Sequence, residues 1–89
     1  MKAVITVVGS DSTGIIAKVS GKCAEYSANI VDISQSVIKE YFAMMMLVEI
    51  DGITIDYKDF VDIMTNLGHE NNLEIHMMHE DIFNSMHKI

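Results

Sequence analysis

The alternation of apolar and polar residues along this chain predicts four strands and three helices. Apolar residues recur with a period of two, or without interruption, in segments 2–8, 30–39, 41–50 and 73–78, which is typical of strands. Helical spacing begins near Ser12 or Thr13 and runs to about Ser27, and Glu80 or Asp81 can cap a last short helix. Between them, Thr54 or Asp56 can cap a second helix, and Gly68 is expected to stop it, as a glycine often does after a helix.

The helical segments carry apolar stripes that we expect to face the core. Within the first helix, Gly21 costs about 1 kcal/mol relative to alanine, so we expect another element to pack closely against it. The stripes are Ile16, Val19, Cys23 and Tyr26 in the first helix, Tyr57, Phe60, Val61, Met64 and Leu67 in the second, and Ile82, Phe83, Met86 and Ile89 in the tail.

The strand patterns distinguish central strands from edge strands. The first and third strands are apolar on both faces, as expected of strands that are covered on both sides. The second and fourth strands alternate. The inward residues are Phe42, Met44, Met46, Val48 and Ile50 in the third strand, Val31, Ile33 and Val37 in the second, and Leu73, Ile75 and Met77 in the fourth, whereas Asp32, Ser34 and Ser36 form a solvated face.

The order of these elements predicts one domain over residues 1–89, an α+β ferredoxin-like βαββαβ sandwich with a short C-terminal helix. Its antiparallel sheet has the spatial order 4-1-3-2, and the two long helices cover one face. On the other face, Met45 and Leu47 need a cover, which is either the tail helix or a second subunit. Because an exposed apolar patch is a liability, we predict a homodimer.

Composition narrows the class of partner. A net charge of −7 with no arginine argues against nucleic acid and against an anionic membrane surface, since both bind basic patches. The single cysteine, Cys23, excludes an internal disulfide and a multi-cysteine metal site. The apolar segment that follows Lys2 is too short for a signal peptide, and no segment is long enough to span a bilayer. A cytoplasmic protein is expected.

One stretch has the chemistry of a binding site. Residues 9–16, Gly-Ser-Asp-Ser-Thr-Gly-Ile-Ile, join the first strand to the first helix and hold two glycines. The first amides of a helix lack internal acceptors, and the helix dipole is positive there, so such a turn attracts carboxylates and phosphates. Asn29 and Ile30, where the second strand begins, are the other positions of interest.

Other proteins of this shape are disfavoured by what the chain lacks. Acylphosphatases hold phosphate with an arginine in the first loop, copper-chaperone domains place two cysteines there, and RNA-recognition motifs need aromatic residues on the first strand. The residues from Val7 to Ile16, then Val19, Ala24 and Asn29-Ile30, resemble the ACT domain, a small regulatory module of amino-acid metabolism. Asp32-Ile33-Ser34-Gln35 and the methionine-rich third strand are similar to the free-standing, single-domain members, a group like the glycine cleavage system transcriptional repressor.

The resemblance implies a non-enzymatic regulator that binds an amino acid or similar metabolite at a subunit interface, without a cofactor, and acts on a metabolic or transcriptional protein partner. Backbone amides from Ser12 to Ile15 would take the carboxylate, Asp11 the ammonium group, and Asn29 would orient the ligand. Many ACT loops carry proline where this chain has Thr13, so the loop is expected to be softer. The implied ligand-binding residues are Asp11, Ser12, Thr13, Gly14, Ile15, Asn29 and Ile30.

Plainer interpretations of the same residues stay open. The loop can be a well-capped turn in an interaction module that binds no small molecule. A catalytic Cys23 is disfavoured because it lies on the apolar stripe without an activating neighbour. His76 and His79 suggest metal, but on a strand they point to opposite faces and cannot converge on one ion, so we expect no metal site.

Overall fold

The computed structural model describes residues 1–10 and 14–87. Over these residues the chain forms the predicted number, type and order of elements. They are β1 (Lys2–Gly9), α1 (Ile15–Glu25), β2 (Asn29–Ile38), β3 (Tyr41–Glu49), α2 (Tyr57–Glu70), β4 (Glu74–His79) and α3 (Glu80–Met86).

The four strands form one antiparallel sheet in the order β2-β3-β1-β4, which confirms the predicted 4-1-3-2 arrangement. β1 lies between β3 and β4, with Ile5 opposite Met46 on one side and Met77 on the other. α1 packs against β2 and α2 against β4. The fold is therefore the ferredoxin-like sandwich expected from the element order.

The core lies between the sheet and the helices α1 and α2. Ile5, Met46, Val19 and Phe60 are among its fully buried side chains, and the ring of Tyr26 meets that of Phe60 edge-on at 6.0 Å between centroids. Burying such side chains contributes about 1.5–3 kcal/mol each.

The predicted stripe of α1 is wrong at one position. Ile15, Val19 and Cys23 are buried, whereas Ile16 is 38% exposed. Residues 15, 19 and 23 follow one another at four-residue steps, and Ile16 is rotated by about 100° from that line.

The close packing expected at Gly21 occurs instead at Gly68. Gly21 is exposed, and a Cβ added there would have nothing within 4 Å. Gly68 does not stop α2, which continues to Glu70. It is buried inside the helix, where α2 approaches β4.

A β-bulge at Val31 sets the faces of β2. Ile30 pairs with Val48 and Asp32 with Leu47, so Val31 is an extra residue. Beyond it, Asp32 lies on the side away from the helices, as predicted. The predicted inward face is not buried, because β2 is the edge strand and burial along it is limited to Ile30, whereas Val31, Ile33 and Val37 are exposed.

The sheet face opposite α1 and α2, called the open face here, carries Val4, Thr6 and Val8 of β1 and Met45 and Leu47 of β3. α3 lies on this face and contacts β1 and β4. Val4 is only 6% exposed, whereas Met45 is 43% and Val8 46% exposed. The open face of β1 is thus covered at Val4 but not at Val8. The tail helix therefore covers only part of this face.

Only part of the predicted tail stripe packs against the protein. Phe83 is half-buried, whereas Ile82 and Met86 are exposed. Ile89 lies outside the described residues. Phe83 is therefore the residue of the predicted stripe that anchors α3 on the sheet.

Candidate functional site

The N-terminus of α1 lies directly after the loop that resembles a binding site. Asp11, Ser12 and Thr13 fall outside the described residues, so their predicted roles are not tested. Gly14 is the N-cap with φ 72° and ψ 3°, a left-handed conformation that suits glycine. The first helical hydrogen bond runs from the N–H of Lys18 to the carbonyl of Gly14, at 3.0 Å.

This geometry leaves the amides of Ile15, Ile16 and Ala17 without an acceptor inside the helix. Gly14 has no side chain to cap them, and the first turn of α1 contains no acidic residue. Among the described residues, therefore, no acidic group of the helix compensates the positive potential at this end of α1, and such an end favours an anion.

A lysine adds to that potential. Cε of Lys18 lies 4.0 Å from the position that a Cβ on Gly14 would occupy. Its Nζ donates to Oδ1 of Asn71 at 2.7 Å, and Nδ2 of Asn71 donates to the carbonyl of Leu67 at 2.8 Å. The site residues predicted from the sequence do not include Lys18, although its position four residues after Gly14 places it one helical turn from the loop.

Asn29 and Ile30 begin β2. Nδ2 of Asn29 donates to Oε1 of Glu49 at 2.7 Å, which fixes the amide, and its Oδ1 accepts no hydrogen bond from the residues that the structure describes. The side chain of Ile30 packs against the core, so Ile30 presents backbone atoms rather than its side chain to the surface.

The two halves of the predicted site lie apart in one chain. Gly14 and Ile15 are at the N-terminal end of α1, and Asn29 follows its C-terminal end. An α-helix of 11 residues is about 16 Å long. A single amino acid cannot bridge that distance, so one chain does not bring the halves together.

Among the described residues, the side chains that the sequence offered for catalysis or metal binding, Cys23, His76 and His79, do not converge. Cys23 is fully buried, and burial raises the pKa of its thiol to about 11. His76 lies 3.3 Å from Glu74 on the open face, whereas His79 is on the helix side and packs against Tyr57 at 4.5 Å. The opposite placement of the histidines confirms the strand-period prediction.

Two other kinds of feature are absent from the described residues. No group of three histidine, cysteine, aspartate or glutamate side chains among them is placed to hold a metal ion. None of the helices in this part of the chain has the length and apolar character needed to cross a membrane.

Comparison with known proteins identifies the family. The ACT domain model matches residues 2–78. A UPF0237 protein of Listeria innocua is 46% identical over 89 residues, which is 100% of both chains. The solved structure of an ACT domain protein from Streptococcus pneumoniae superposes with a TM-score of 0.81 and 46% identity, covering 93% of each chain.

A more distant structure shares the fold. A putative glycine cleavage system transcriptional repressor gives a TM-score of 0.78 at 13% identity, over 86% of this chain and 45% of that one. The resemblance found in the sequence is confirmed by these matches: the chain belongs to the ACT domain family.

Proposed function

We propose that this protein is a cytoplasmic, non-enzymatic regulator that binds an amino acid or a similar small metabolite at a homodimer interface and thereby modulates a metabolic or transcriptional partner. The N-terminus of α1 at Gly14 carries the proposal, because its first amides have no acceptor within the helix and, together with the nearby Lys18, suit a carboxylate. Membership of the ACT domain family supports the same assignment.

The recognition divides into two halves. The amides from Ser12 to Ile15 take the ligand carboxylate, and Asp11 pairs with its ammonium group. Asn29 supplies an acceptor for the same ammonium through Oδ1, because its Nδ2 is held by Glu49. A zwitterion thus meets groups of opposite charge at its two ends.

Two chains are needed to join these halves, and the sheet suggests how they pair. β2 is an edge strand whose outer side has no partner within the described residues. It runs from Asn29, beside Glu49, to Ile38, beside Tyr41, and so ends near the strand that leads into the loop. If two copies pair antiparallel along β2, the Asn29 of one copy lies at the loop end of the other.

The remaining chemistry supports a binding role rather than catalysis. Buried in the core, the Cys23 thiol is held protonated, so it is a poor nucleophile. His76 and His79 lie on opposite sides of the sheet and cannot act on one substrate.

A thermal-shift panel of the twenty amino acids tests the proposal. A ligand that binds only the folded dimer raises the unfolding midpoint with concentration. We expect at least one amino acid to do so for the wild type and for the control Asn66→Ala, which changes an exposed asparagine of α2, but not for Asp11→Ala. Flat traces with dimerisation intact would instead support an interaction module without a ligand.

Complementation between variants tests the shared interface. Asp11→Ala and Asn29→Ala are each expected to lose binding. A dimer that contains one chain of each variant, however, has one binding site in which both Asp11 and Asn29 are intact. Mixing the two unfolded chains and refolding them together should restore binding to about half of the mixed dimers' sites. No recovery in mixed dimers isolated by differential tags would contradict a site built from two chains.

A further inference from the structure

A cavity lies between α3 and the open face, away from the loop of the proposed amino-acid site. Its apolar lining comes from Val4, Met45, Met46 and Leu47 of the sheet and from Phe83 of α3. Its volume is about 230 Å³, somewhat below the range of about 300–1,000 Å³ typical of drug-sized ligands. The cavity therefore suits a small organic molecule.

The two charged side chains among the described lining residues of this cavity are both acidic. Asp32 comes from β2 and Glu80 from α3, and Ser34 and Asn84 are neutral polar groups of the same lining. Glu80 and Asn84 are four residues apart, so they share one face of α3. The ion pairs found in residues 1–10 and 14–87 include neither carboxylate.

The bulge in β2 is what points Asp32 at the cavity. Ile30 lies on the helix side, and regular alternation would place Asp32 there as well. The extra residue Val31 moves Asp32 to the open face, opposite Leu47. Bulges commonly redirect a side chain in this way beside functional sites. One oxygen of Asp32 accepts the N–H of Ile33 at 2.9 Å, and the other accepts no hydrogen bond from the described residues.

From this arrangement we infer that the cavity binds a small organic amine. The ammonium group lies between Asp32 and Glu80, where charged hydrogen bonds are strongest against an apolar wall. The apolar body of the amine packs on Val4 and Leu47, and the ring of Phe83 adds attraction for the cation. Two carboxylates repel an anion, so this site differs in ligand chemistry from the carboxylate-binding turn of α1.

The test is an NMR titration of the full ¹⁵N-labelled chain with two probes of similar shape, 2-phenylethylammonium and 3-phenylpropionate, at fixed ionic strength. The ammonium is expected to give saturable shifts at the amides of Ser34, Leu47 and Asn84, and the carboxylate none. Asp32→Asn combined with Glu80→Gln should weaken ammonium binding about tenfold or more, since charged hydrogen bonds are lost.

The matched control is Asp62→Asn combined with Glu70→Gln, which removes two exposed carboxylates from α2 and should leave ammonium binding nearly unchanged. Equal weakening in both double variants would mean attraction by net charge alone and would overturn the site. Shifts centred on Gly14 and Ile15, or no saturable shift at millimolar probe, would overturn it as well. The spectrum of each variant reports whether it remains folded.

Discussion

Gly68 of α2 stands directly against the carbonyl of Leu73: a Cβ on Gly68 would lie 2.7 Å from that oxygen. The N–H of Leu73 donates to the carbonyl of Gly68 at 2.8 Å, which holds the turn into β4 close to the helix. Ile75 borders the same point at 3.1 Å. The absence of a side chain at Gly68 thus permits α2 and β4 to pack.

Gly68→Ala is therefore expected to destabilise the protein by about 1–3 kcal/mol, since backbone has to move to make room for the methyl group. Urea unfolding at a fixed protein concentration measures the change. A stability equal to or above that of the wild type would show that the backbone at Leu73 can move to make room for the methyl group without a loss of stability.

Gly21→Ala should have the opposite effect. Gly21 is exposed within α1, and an added Cβ meets nothing within 4 Å. Alanine is then favoured by about 0.5–1 kcal/mol, because glycine loses more backbone entropy on folding. The same urea experiment measures it, and a loss of stability would indicate a contact of Gly21 that the fold does not show.

Gly14→Ala should destabilise α1 at its N-cap. The φ of 72° at Gly14 costs an L-residue about 1–2 kcal/mol. Gly14→Asn should cost less, because asparagine tolerates the left-handed region. Thermal unfolding of both variants checks the order, and equal losses for alanine and asparagine would rule out backbone conformation as the cause.

The buried thiol of Cys23 predicts a loss of stability at alkaline pH. Its pKa rises from 9.0 to about 11 on folding. Between these values the unfolded chain releases the proton and the folded chain keeps it, so stability falls as pH rises, by on the order of 1 to 2 kcal/mol. Comparing the pH dependence of the free energy of unfolding in the wild type and in Cys23→Ala separates this effect from the ionisation of tyrosines, which falls in the same pH range. Parallel curves of stability against pH for the two proteins would refute the prediction.

α3 is expected to depend on one side chain. Phe83 is half-buried on the open face, whereas Ile82 is 52% exposed. Phe83→Ala should speed hydrogen exchange throughout α3 and cost about 1–2 kcal/mol, and Ile82→Ala should change stability by less than about 0.5 kcal/mol. Similar exchange rates in the two variants would mean that α3 is held by its backbone contacts instead.

The element order and the periodicity of the apolar residues were enough to predict the fold, because each segment's pattern matched one kind of element. They predicted that β2 lies at the edge of the sheet, but not that the residues on its inward face are exposed. Ile33 and Val37 have the right spacing for burial, yet the helices do not extend over them. Whether an edge strand is covered depends on the position of a helix that is distant in sequence. The alternation of residues within the strand does not predict that position.

The glycines show a second limit. Gly21 and Gly68 both stand inside helical patterns, and only the approach of β4 distinguishes them. In the candidate site, the turn at Gly14 could be recognised from the residues of the loop. The position of Lys18 beside Gly14, in contrast, is seen only once α1 is folded. That Gly14 and Asn29 stand apart follows from the direction of α1 rather than from any motif.

This separation has a thermodynamic consequence. If each pocket takes Gly14 from one chain and Asn29 from another, a symmetric pair contains two complete pockets and a lone chain contains none. Ligand and self-association are then linked by mass action, so that dilution weakens the apparent affinity and ligand tightens the pair. A chain of this kind reports its own abundance together with that of its metabolite.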